Sequence, residues 1–243
     1  MVTTYKRKNF PNFSYEKKVW KKGFRIVAGC DEVGRGCLAG PVVCGCVAFD
    51  KRTLKKVFHN YIPKIDDSKK LSPKQRDVAN KWIRKNCLTW GVGIGTVAEI
   101  NKGGIVSATS SGFRRAVANA SLRLKARVNF ILVDAFYIPY VRGLNRPLFN
   151  AKKANAKKGK AKISGKQLAI INGDEKSFSI AAASIIAKVY RDKMMILLAA
   201  EKKYKSYGWD KNKGYGTKIH IDALKKLGPT KLHRKKFITK YLS

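Results

Sequence analysis

The sequence predicts an α/β fold in which helices flank a mixed central β-sheet, with a small helical part at the C-terminus. Two observations support this prediction. Short β-branched apolar runs alternate along the chain with longer segments of helical periodicity. The first two apolar runs are consecutive and predict a hairpin, whereas helix-length segments separate the later ones. With 243 residues, 44% of them hydrophobic, the chain is long and apolar enough to bury a substantial core.

The net charge limits the classes of partner. Lys and Arg number 53 against 15 Asp and Glu, which gives a formal net charge of +38. The lysines are spread along the whole chain, which favours nucleic acid over a membrane surface as the partner. No apolar run approaches the ~20 residues that cross a bilayer, and the first residues lack the apolar stretch of a secretory signal. We therefore expect a cytoplasmic protein that binds nucleic acid.

The five cysteines predict neither a zinc site nor a disulfide framework. They form an odd set without a Cys-x-x-Cys pair, and four of them lie in one apolar stretch. We expect them to be small buried hydrophobic residues in a reducing compartment. Their positions are Cys30, Cys37, Cys44, Cys46 and Cys87.

The N-terminal part of the chain contains the first predicted strands. Residues 1–20 are basic and aromatic without clear periodicity, which predicts an extension that lies on the surface or contacts the substrate. Arg25–Phe49 consists of an apolar run that ends in two acids, a glycine-rich turn and a second β-branched run. This pattern predicts a hairpin of two core strands.

A helix, a strand and a second helix are predicted next. Ser72 and Gln75 have the spacing of a capping box around a proline, which predicts a helix over Pro73–Cys87. Leu88–Val97 alternates like a strand. Glycines at positions 103 and 104 separate it from a helical segment that continues to about Leu124.

Two further strands are predicted on either side of a basic loop. Val128–Val133 is short, apolar and β-branched, and Asp134 follows it. Ala151–Lys166 contains seven lysines and no acid, which predicts a flexible loop. Leu168–Ile171 resumes as a strand and leads through Asn-Gly to Asp174.

The last part of the chain is predicted to be helical. Ser177–Lys203 is rich in alanine and free of glycine and proline, which predicts a long helix. A loop over Tyr207–Gly216, a short helix before Gly228 and a basic tail follow. We expect a main domain over residues 21–203 and a C-terminal helical segment over residues 204–243.

Four acids are candidates for chemistry because each lies at or just after the predicted end of a core strand. They are Asp31, Glu32, Asp134 and Asp174. Strand ends of an α/β sheet commonly form a ligand cleft, where clustered carboxylates repel one another unless a cation neutralises them. Mg²⁺ prefers oxygen ligands, and two such ions can act on a phosphodiester. The spacing alone equally allows turn-forming acids or ion-pair partners of the lysines.

Two loops contain candidate binding residues. Gly34, Arg35 and Gly36 would let main-chain groups approach a substrate closely, although a hairpin turn with incidental glycines also explains them. Lys69 belongs to a lysine pair just before a capped helix, where phosphate binds favourably. A solvated loop is the alternative interpretation.

The C-terminal third contains further candidates. Ser184 and Lys188 share one face of the long helix and could contact phosphates, although Ser184 could equally be a packing residue. Tyr215 lies between two glycines, where an exposed ring could stack on a base or sugar. His220 and His233 are expected to be structural, because three histidines in the chain do not support a histidine metal site.

Taken together, these segments resemble ribonuclease HII, the type 2 ribonuclease H family. The matching segments occur in family order from Ile26 to Phe237 and are AGCDEVGRG, LAGPVV, DSKKLS, LVDA, NGD, SIAAASIIAKVYRD, NKGYGT and HRKKF. The resemblance implies a ribonuclease H-like fold and a metal-dependent endonuclease that cuts on the 5′ side of ribonucleotides, leaving 3′-hydroxyl and 5′-phosphate ends. The implied substrates are RNA/DNA hybrids and duplex DNA with a single embedded ribonucleotide.

The resemblance also implies roles for particular residues. Two ions of Mg²⁺ or Mn²⁺ would be held by Asp31, Glu32, Asp134 and Asp174. The 2′-hydroxyl would be recognised by Gly34, Arg35 and Gly36, and the neighbouring deoxyribose by Tyr215. Phosphates would be contacted by Lys69, Ser184 and Lys188. Asp192 matches a family position outside the four ligands.

The chain departs from the family pattern at three positions without losing an implied ligand. Cys37, Asp66 and Ala135 stand where the family usually has proline, asparagine and glycine. The Gly-Arg-Gly tripeptide argues against the sister family, ribonuclease HIII. A monomer is expected from the resemblance alone. The alternative hypothesis is a basic nucleic-acid-binding protein that has the fold without catalysis.

Overall fold

A five-stranded mixed sheet forms the centre of the computed structural model, which describes residues 10–51, 53–54, 62–141 and 166–242. The strands are β1 (Val27–Val33), β2 (Val42–Ala48), β3 (Thr89–Gly95), β4 (Phe130–Asp134) and β5 (Gln167–Ile170). Their order is β3-β2-β1-β4-β5. The first three strands pair antiparallel, whereas β4 and β5 run parallel to β1. The predicted hairpin and mixed sheet are thus confirmed.

Helices cover the sheet and form the C-terminal part. They are α1 (Ser14–Lys21), α2 (Pro73–Asn86), α3 (Val97–Leu124), α4 (Phe178–Ala200), α5 (Trp209–Asn212), α6 (Lys218–Leu227) and α7 (Lys235–Ile238). Short 3₁₀ turns occupy Ser68–Lys70, Gly173–Glu175, Lys205–Tyr207 and Thr239–Tyr241. Within the part of the chain that the structure describes, none of the helices has the length and apolar character needed to span a membrane.

The predicted capping box starts α2. The Ser72 hydroxyl accepts from the Gln75 main-chain N–H at 3.3 Å, and the Gln75 side chain accepts from the Ser72 N–H at 2.8 Å. Pro73 occupies the first turn, where its missing N–H costs no hydrogen bond. The helix ends one residue before the predicted boundary.

Helical structure in α3 begins before the glycine pair, which is earlier than predicted. A second capping box, formed by Thr96 and Glu99, starts the helix at Val97. Gly104 then adopts non-helical angles, with φ +80° and ψ 167°, so α3 consists of two helical parts joined at a kink, and the second part begins after the glycine pair.

The contact between α3 and the edge strand β3 is unusually close. A Cβ at Gly93 would lie 2.0 Å from the carbonyl oxygen of Gly112, so only glycine fits there. Three α3 side chains at a spacing of four donate to outward-facing β3 carbonyls; these are Arg115, Asn119 and Arg123. Such coverage removes acceptors that another strand could pair with.

The long helix α4 lies on the opposite side of the sheet, against β1 and β2. A Cβ at Gly29 would lie 2.1 Å from the main-chain carbon of Ser179, which fixes how closely the start of α4 approaches β1. Apolar side chains of α4 join the main core cluster. The helix ends at Ala200, three residues before the predicted end.

The expectation that residues 1–20 form a surface extension is wrong for residues 10–20. Helix α1 buries Phe13, Val19 and Trp20 in the main core. The Phe13 ring stacks on that of Phe178 at a centroid distance of 4.5 Å. Residues 1–9 and nearly all of the lysine-rich segment 151–166 lie outside the described residues.

The C-terminal part has its own aromatic cluster and contains a short helix within the predicted loop. Trp209 begins α5 and donates to His220 Nε2 at 3.0 Å. His220 Nδ1 lies 2.9 Å from the Tyr215 carbonyl, and its Nε2 lies 3.1 Å from His233 Nε2. Burial lowers the pKa of both histidines, to about 4 for His233. Both therefore have the structural environment that was predicted.

The five cysteines are free. Four are buried, and Cys87 is half-buried. Their expected role as small apolar residues agrees with these positions.

Candidate active site

The acids of β1 and β4 lie side by side at one edge of the sheet. Cys30 of β1 pairs with Val133 of β4 in parallel register, so the residues that follow, Asp31 and Asp134, are neighbours. Glu32 is the next residue along β1. β1 continues to Val33 because it remains paired with β2, so its acids lie within the strand and not after its end.

Asp174 reaches the same edge through a turn. Ile170 at the end of β5 pairs with Asp134, and the 3₁₀ turn that contains Asp174 follows. The Gly173 main-chain N–H donates to Asp134 Oδ1 at 2.6 Å, which ties this turn directly to the carboxylate of β4. β1, β4 and the turn after β5 therefore bring together the acidic cluster, defined as Asp31, Glu32, Asp134 and Asp174.

The electrostatics of the acidic cluster reflect burial and mutual repulsion. Asp31 is 5% exposed, and burial followed by the charge of Glu32 raises its pKa well above the usual range. Burial also raises the pKa of Glu32 to about 7, with Asp134 adding to the shift and Arg35 opposing it. Burial, with Asp134 again adding, raises the pKa of Asp174 to about 6. Each acid therefore lies within the field of another.

The donor chemistry of the acidic cluster fits an oxygen-preferring divalent cation. Glu32 Oε1 accepts from Arg35 at 3.2 Å, but Glu32 Oε2 is buried without a hydrogen-bond partner among the described residues. A cation would satisfy that oxygen and relieve the repulsion between carboxylates. In the described ranges, no group of three or more His, Cys, Asp or Glu side chains is placed to hold a metal ion as the side chains stand. The acidic cluster therefore supplies suitable oxygen donors, but these oxygens do not form the closed geometry of a metal site.

Ser184 supports Asp31 and does not face solvent. It is 2% exposed, and its hydroxyl is hydrogen-bonded to that of Ser68 over 2.9 Å. A hydrogen bond from Ser184 also opposes the upward pKa shift of Asp31. α4 turns Ser184 toward the acidic cluster, and the contact of Ser184 with a substrate phosphate stays a prediction. Its packing alternative is closer to the structure.

Lys69 projects from the turn beside the acidic cluster. Its ammonium is largely exposed and lies 3.9 Å from carboxylate oxygens of both Asp67 and Asp174. Asp67 is a buried acid that sequence analysis did not single out. It caps the turn by accepting from the Lys69 main-chain N–H at 3.0 Å, and its charge helps to raise the pKa of Asp174. The Lys69 ammonium is therefore an exposed positive charge in a position that favours binding of a phosphate.

The glycine-arginine-glycine segment is fixed through its main chain. Gly34 has a φ of +93°, and a Cβ there would lie 2.1 Å from Arg191 Nε. Arg234 is 0% exposed and donates to the carbonyls of Gly34 and Arg35 at 2.6 and 2.7 Å. Its Nε donates to the Gly40 carbonyl at 2.9 Å. The C-terminal tail therefore holds the loop that contains this segment.

Arg191 of α4 holds the other side of the same loop. It donates to the carbonyls of Pro41, Ala39 and Lys213 at 3.0, 3.2 and 2.8 Å. Sequence analysis missed both Arg191 and Arg234. Buried arginines that bond only to carbonyls have no distinctive spacing, and in a chain with 53 basic residues they resemble their exposed neighbours.

Tyr215 lies beside two cations at the surface of this region. The ring is 39% exposed, and it lies 5.7 Å from Lys188 Nζ and 5.8 Å from the Arg191 guanidinium carbon. Burial of the hydroxyl raises the Tyr215 pKa to about 12. Lys188 is mostly buried and ion-paired with Asp192 at 3.0 Å, so its charge is held in place.

Comparison with known protein families shows to which family the chain belongs. The family model described as Ribonuclease HII matches residues 28–240. The chain belongs to the ribonuclease HII family. A ribonuclease HII from Caldanaerobacter subterraneus subsp. tengcongensis is 40% identical over 228 residues, which are 94% of this chain and 80% of that protein. The resemblance inferred from the motifs is thereby confirmed, and the chain is an endoribonuclease that degrades RNA in RNA/DNA hybrids.

Solved structures agree with the fold. Ribonuclease HII from Archaeoglobus fulgidus, solved in complex with PCNA, is 25% identical with a TM-score of 0.61, over 86% of this chain and 93% of that one. Bst ribonuclease HIII in complex with Mn²⁺ has a TM-score of 0.63 at 17% identity, over 90% of this chain and 69% of that one. The second likeness supports the architecture alone.

Proposed function

We propose that this ribonuclease HII hydrolyses the phosphodiester on the 5′ side of a ribonucleotide within a duplex, with divalent ions held by Asp31, Glu32, Asp134 and Asp174. The observation that carries the proposal is the placement of these acids on β1, on β4 and in the turn after β5, at one edge of the sheet, where the charge of Asp134 adds to the raised pKa of the other three. Proteins rarely bury such repulsion without a cation to offset it.

Mg²⁺ or Mn²⁺ is the proposed cofactor, as two ions during catalysis. The oxygen donors of the acidic cluster, with the unpartnered Glu32 Oε2 among them, support this choice. When bound, such ions supply an activated water and stabilise the charge of the leaving oxygen. The protein holds the carboxylates through its own contacts: the Gly173 N–H on Asp134, Ser184 on Asp31 and Arg35 on Glu32.

We further propose that the Gly34–Gly36 main chain recognises the 2′-hydroxyl. Main-chain groups held rigidly by Arg234 can form hydrogen bonds with that hydroxyl, and a deoxyribose would leave them unpaired. Tyr215 is proposed to pack on the neighbouring deoxyribose, since its ring is exposed beside two cations. Lys69 and Lys188 would attract the adjacent phosphates. Duplex DNA with a single embedded ribonucleotide is thus a proposed substrate besides the hybrid.

Asp134→Asn tests the proposal. The asparagine oxygen can still accept from the Gly173 N–H, so the fold should persist while a ligand charge is lost. Because metal-ion charge stabilisation is worth several kcal/mol, we expect cleavage of a duplex with one ribonucleotide to fall on the order of a thousandfold. The assay follows product length at saturating Mg²⁺, beside an all-DNA duplex.

Asp222→Asn is the matched control, because that acid is exposed on α6 and pairs only with Lys218 among the contacts described. It should cleave like the wild type. Undiminished cleavage by Asp134→Asn would contradict the assignment of the ligands. Binding without cleavage by the wild type, equal for both duplexes, would instead favour the non-catalytic alternative.

A further inference from the structure

Glu16 of α1 is a buried acid outside the acidic cluster. It is 0% exposed, and its Oε1 accepts from the Ser177 hydroxyl at 2.7 Å, from the Ser179 N–H at 3.0 Å and from the Ser179 hydroxyl. Its Oε2 has no hydrogen-bond partner among the described residues, and none of the ion pairs found there includes it. Burial of a carboxylate without a neighbouring cation costs free energy, and the contact between α1 and α4 includes this cost.

The carboxylate lies at the start of α4. Ser177 is the N-cap of this helix and accepts from the Ile180 N–H at 3.3 Å. N–H groups at the start of a helix lack partners within the helix, and Glu16 provides an accepting oxygen there from another segment of the chain. Asn12 adds two main-chain hydrogen bonds, to Lys176 at 3.1 Å and from Phe178 at 3.0 Å. The start of α1 is therefore bonded along the whole entrance to α4.

A short path of hydrogen bonds connects this contact with the acidic cluster. The Ser177 main-chain N–H donates to the Gly173 carbonyl at 2.8 Å, and the Gly173 N–H donates to Asp134 Oδ1 at 2.6 Å. Asp174 lies between these two hydrogen-bonded positions. A displacement of Ser177 would therefore move both Asp174 and the donor that orients Asp134.

We infer that Glu16 is a positioning residue, which holds the Gly173–Ser179 segment so that Asp134 and Asp174 keep the placement needed to bind metal. The inference rests on the proposed function of those acids as metal ligands. It gives α1 a role in the reaction although no atom of Glu16 touches the acidic cluster. Phe13 and Trp20 attach this segment to the core, whereas the Glu16 carboxylate bonds specifically to the entrance to α4.

Glu16→Gln in the full chain tests the inference. The amide retains the size of the side chain but loses the charge, and its nitrogen replaces one carboxylate oxygen. We expect the dissociation constant for Mn²⁺, measured by electron paramagnetic resonance without substrate, to rise about tenfold, as for outer partners of metal ligands. Hydrogen exchange of the amides at 173–179 should accelerate, while KM for the duplex stays near the wild-type value.

Glu201→Gln is the matched control, because Glu201 is an exposed acid at the opposite end of α4. It should leave Mn²⁺ binding and exchange at 173–179 unchanged. If Glu16→Gln does not fold, Ser179→Ala removes one donor and should weaken Mn²⁺ binding about threefold, the effect of a single hydrogen bond. Wild-type Mn²⁺ affinity in a folded Glu16→Gln or Ser179→Ala variant would overturn the inference.

The failure of the inference can be distinguished from that of the proposed function. If Asp174→Asn weakens Mn²⁺ binding but Glu16→Gln does not, the acids bind metal and Glu16 does not position them. If the wild type binds no Mn²⁺, or Asp174→Asn binds it as well as the wild type, the proposed function itself is wrong and the inference falls with it.

Discussion

The Gly34–Pro41 loop and the acidic cluster are neighbouring regions with opposite electrostatic character. In the loop, Arg191 and Arg234 donate to five main-chain carbonyls, and Arg191 also reaches Lys213. In the acidic cluster, burial and like charge raise the pKa of Asp31, Glu32 and Asp174. The carbonyls of the loop thus have partners within the protein, whereas the acidic cluster keeps an unpartnered oxygen at Glu32 that the proposed cation would satisfy.

This difference separates two tasks. A surface that distinguishes a hydroxyl from a hydrogen needs groups fixed before the substrate arrives, and buried arginines supply that rigidity. A site that binds metal needs donors without competing partners, as in Glu32 Oε2. Substitutions in the loop should therefore lower both the stability of the protein and its discrimination between ribose and deoxyribose. Loss of a charge in the acidic cluster should lower activity while it relieves repulsion between carboxylates.

Arg234→Gln should lower the stability of the protein more than a substitution in the acidic cluster does. It leaves the carbonyls of Gly34, Arg35 and Gly40 short of donors in a buried setting, so we expect the free energy of unfolding to fall by about 3 kcal/mol. Displacement of the main chain should also lower cleavage at a single ribonucleotide about tenfold or more, since ~1 Å of misplacement can cost a hundredfold. Denaturant unfolding and the cleavage assay measure the two effects.

Lys236→Gln removes one positive charge from the same tail at an exposed position and serves as the control. It should leave the free energy of unfolding and the preference for ribonucleotide over all-DNA duplex unchanged. Equal losses in the two variants would mean that tail charge matters and that the bonds to the loop do not.

The sequence predicted those elements whose signals are local. Ser72 and Gln75 mark the start of α2 by themselves, and β-branched runs identify strands whatever surrounds them. The placement of Asp134 and Asp174 followed because they lie at or just after strand ends, whereas Asp31 and Glu32 lie within β1. The start of α3 at Val97 could also have been predicted, because Thr96 and Glu99 have capping-box spacing. The glycine pair instead favoured a later boundary.

The missed features depend on the tertiary structure. Helix α1 has no side-chain cap at Phe13 and few apolar residues, so its contacts with the core and with the entrance to α4 make it an element. Arg234 and Glu16 are charged residues among other charged residues. Burial distinguishes them, and burial is decided by segments far away in the chain.

The pH dependence of stability should separate the acidic cluster from the loop. Glu32 and Asp174 have folded pKa values of about 7 and about 6 against ordinary values of 4.5 and 3.8. The folded state therefore holds protons that the unfolded state has released, so their contribution to stability is present at low pH and lost as pH rises from about 4 to about 7. The lowered pKa values of His220 and His233 act in the opposite direction over the same range, so the test compares variants: in a chelator, the melting temperature of the wild type should fall relative to that of Asp134→Asn as pH rises.

Two variations sharpen that measurement. Mg²⁺ should restore part of the loss near neutral pH, because it binds the folded state. Asp134→Asn should reduce the slope, since Asp134 raises the pKa of Asp31, Glu32 and Asp174. A slope that Asp134→Asn leaves unchanged would assign the pH dependence to groups outside the acidic cluster.

The smallest effect is expected at the edge of the sheet, where the same kind of bond is exposed to water. Asn119 donates to the Val92 carbonyl at 2.8 Å, as Arg234 does to loop carbonyls, but it is exposed. Water can replace it, so Asn119→Ala should lower the free energy of unfolding by about 1 kcal/mol or less. Because the uncovered β3 edge can pair with another strand, light scattering should detect more self-association on warming. A loss as large as that of Arg234→Gln would mean that burial does not set the cost of these side-chain bonds to carbonyls.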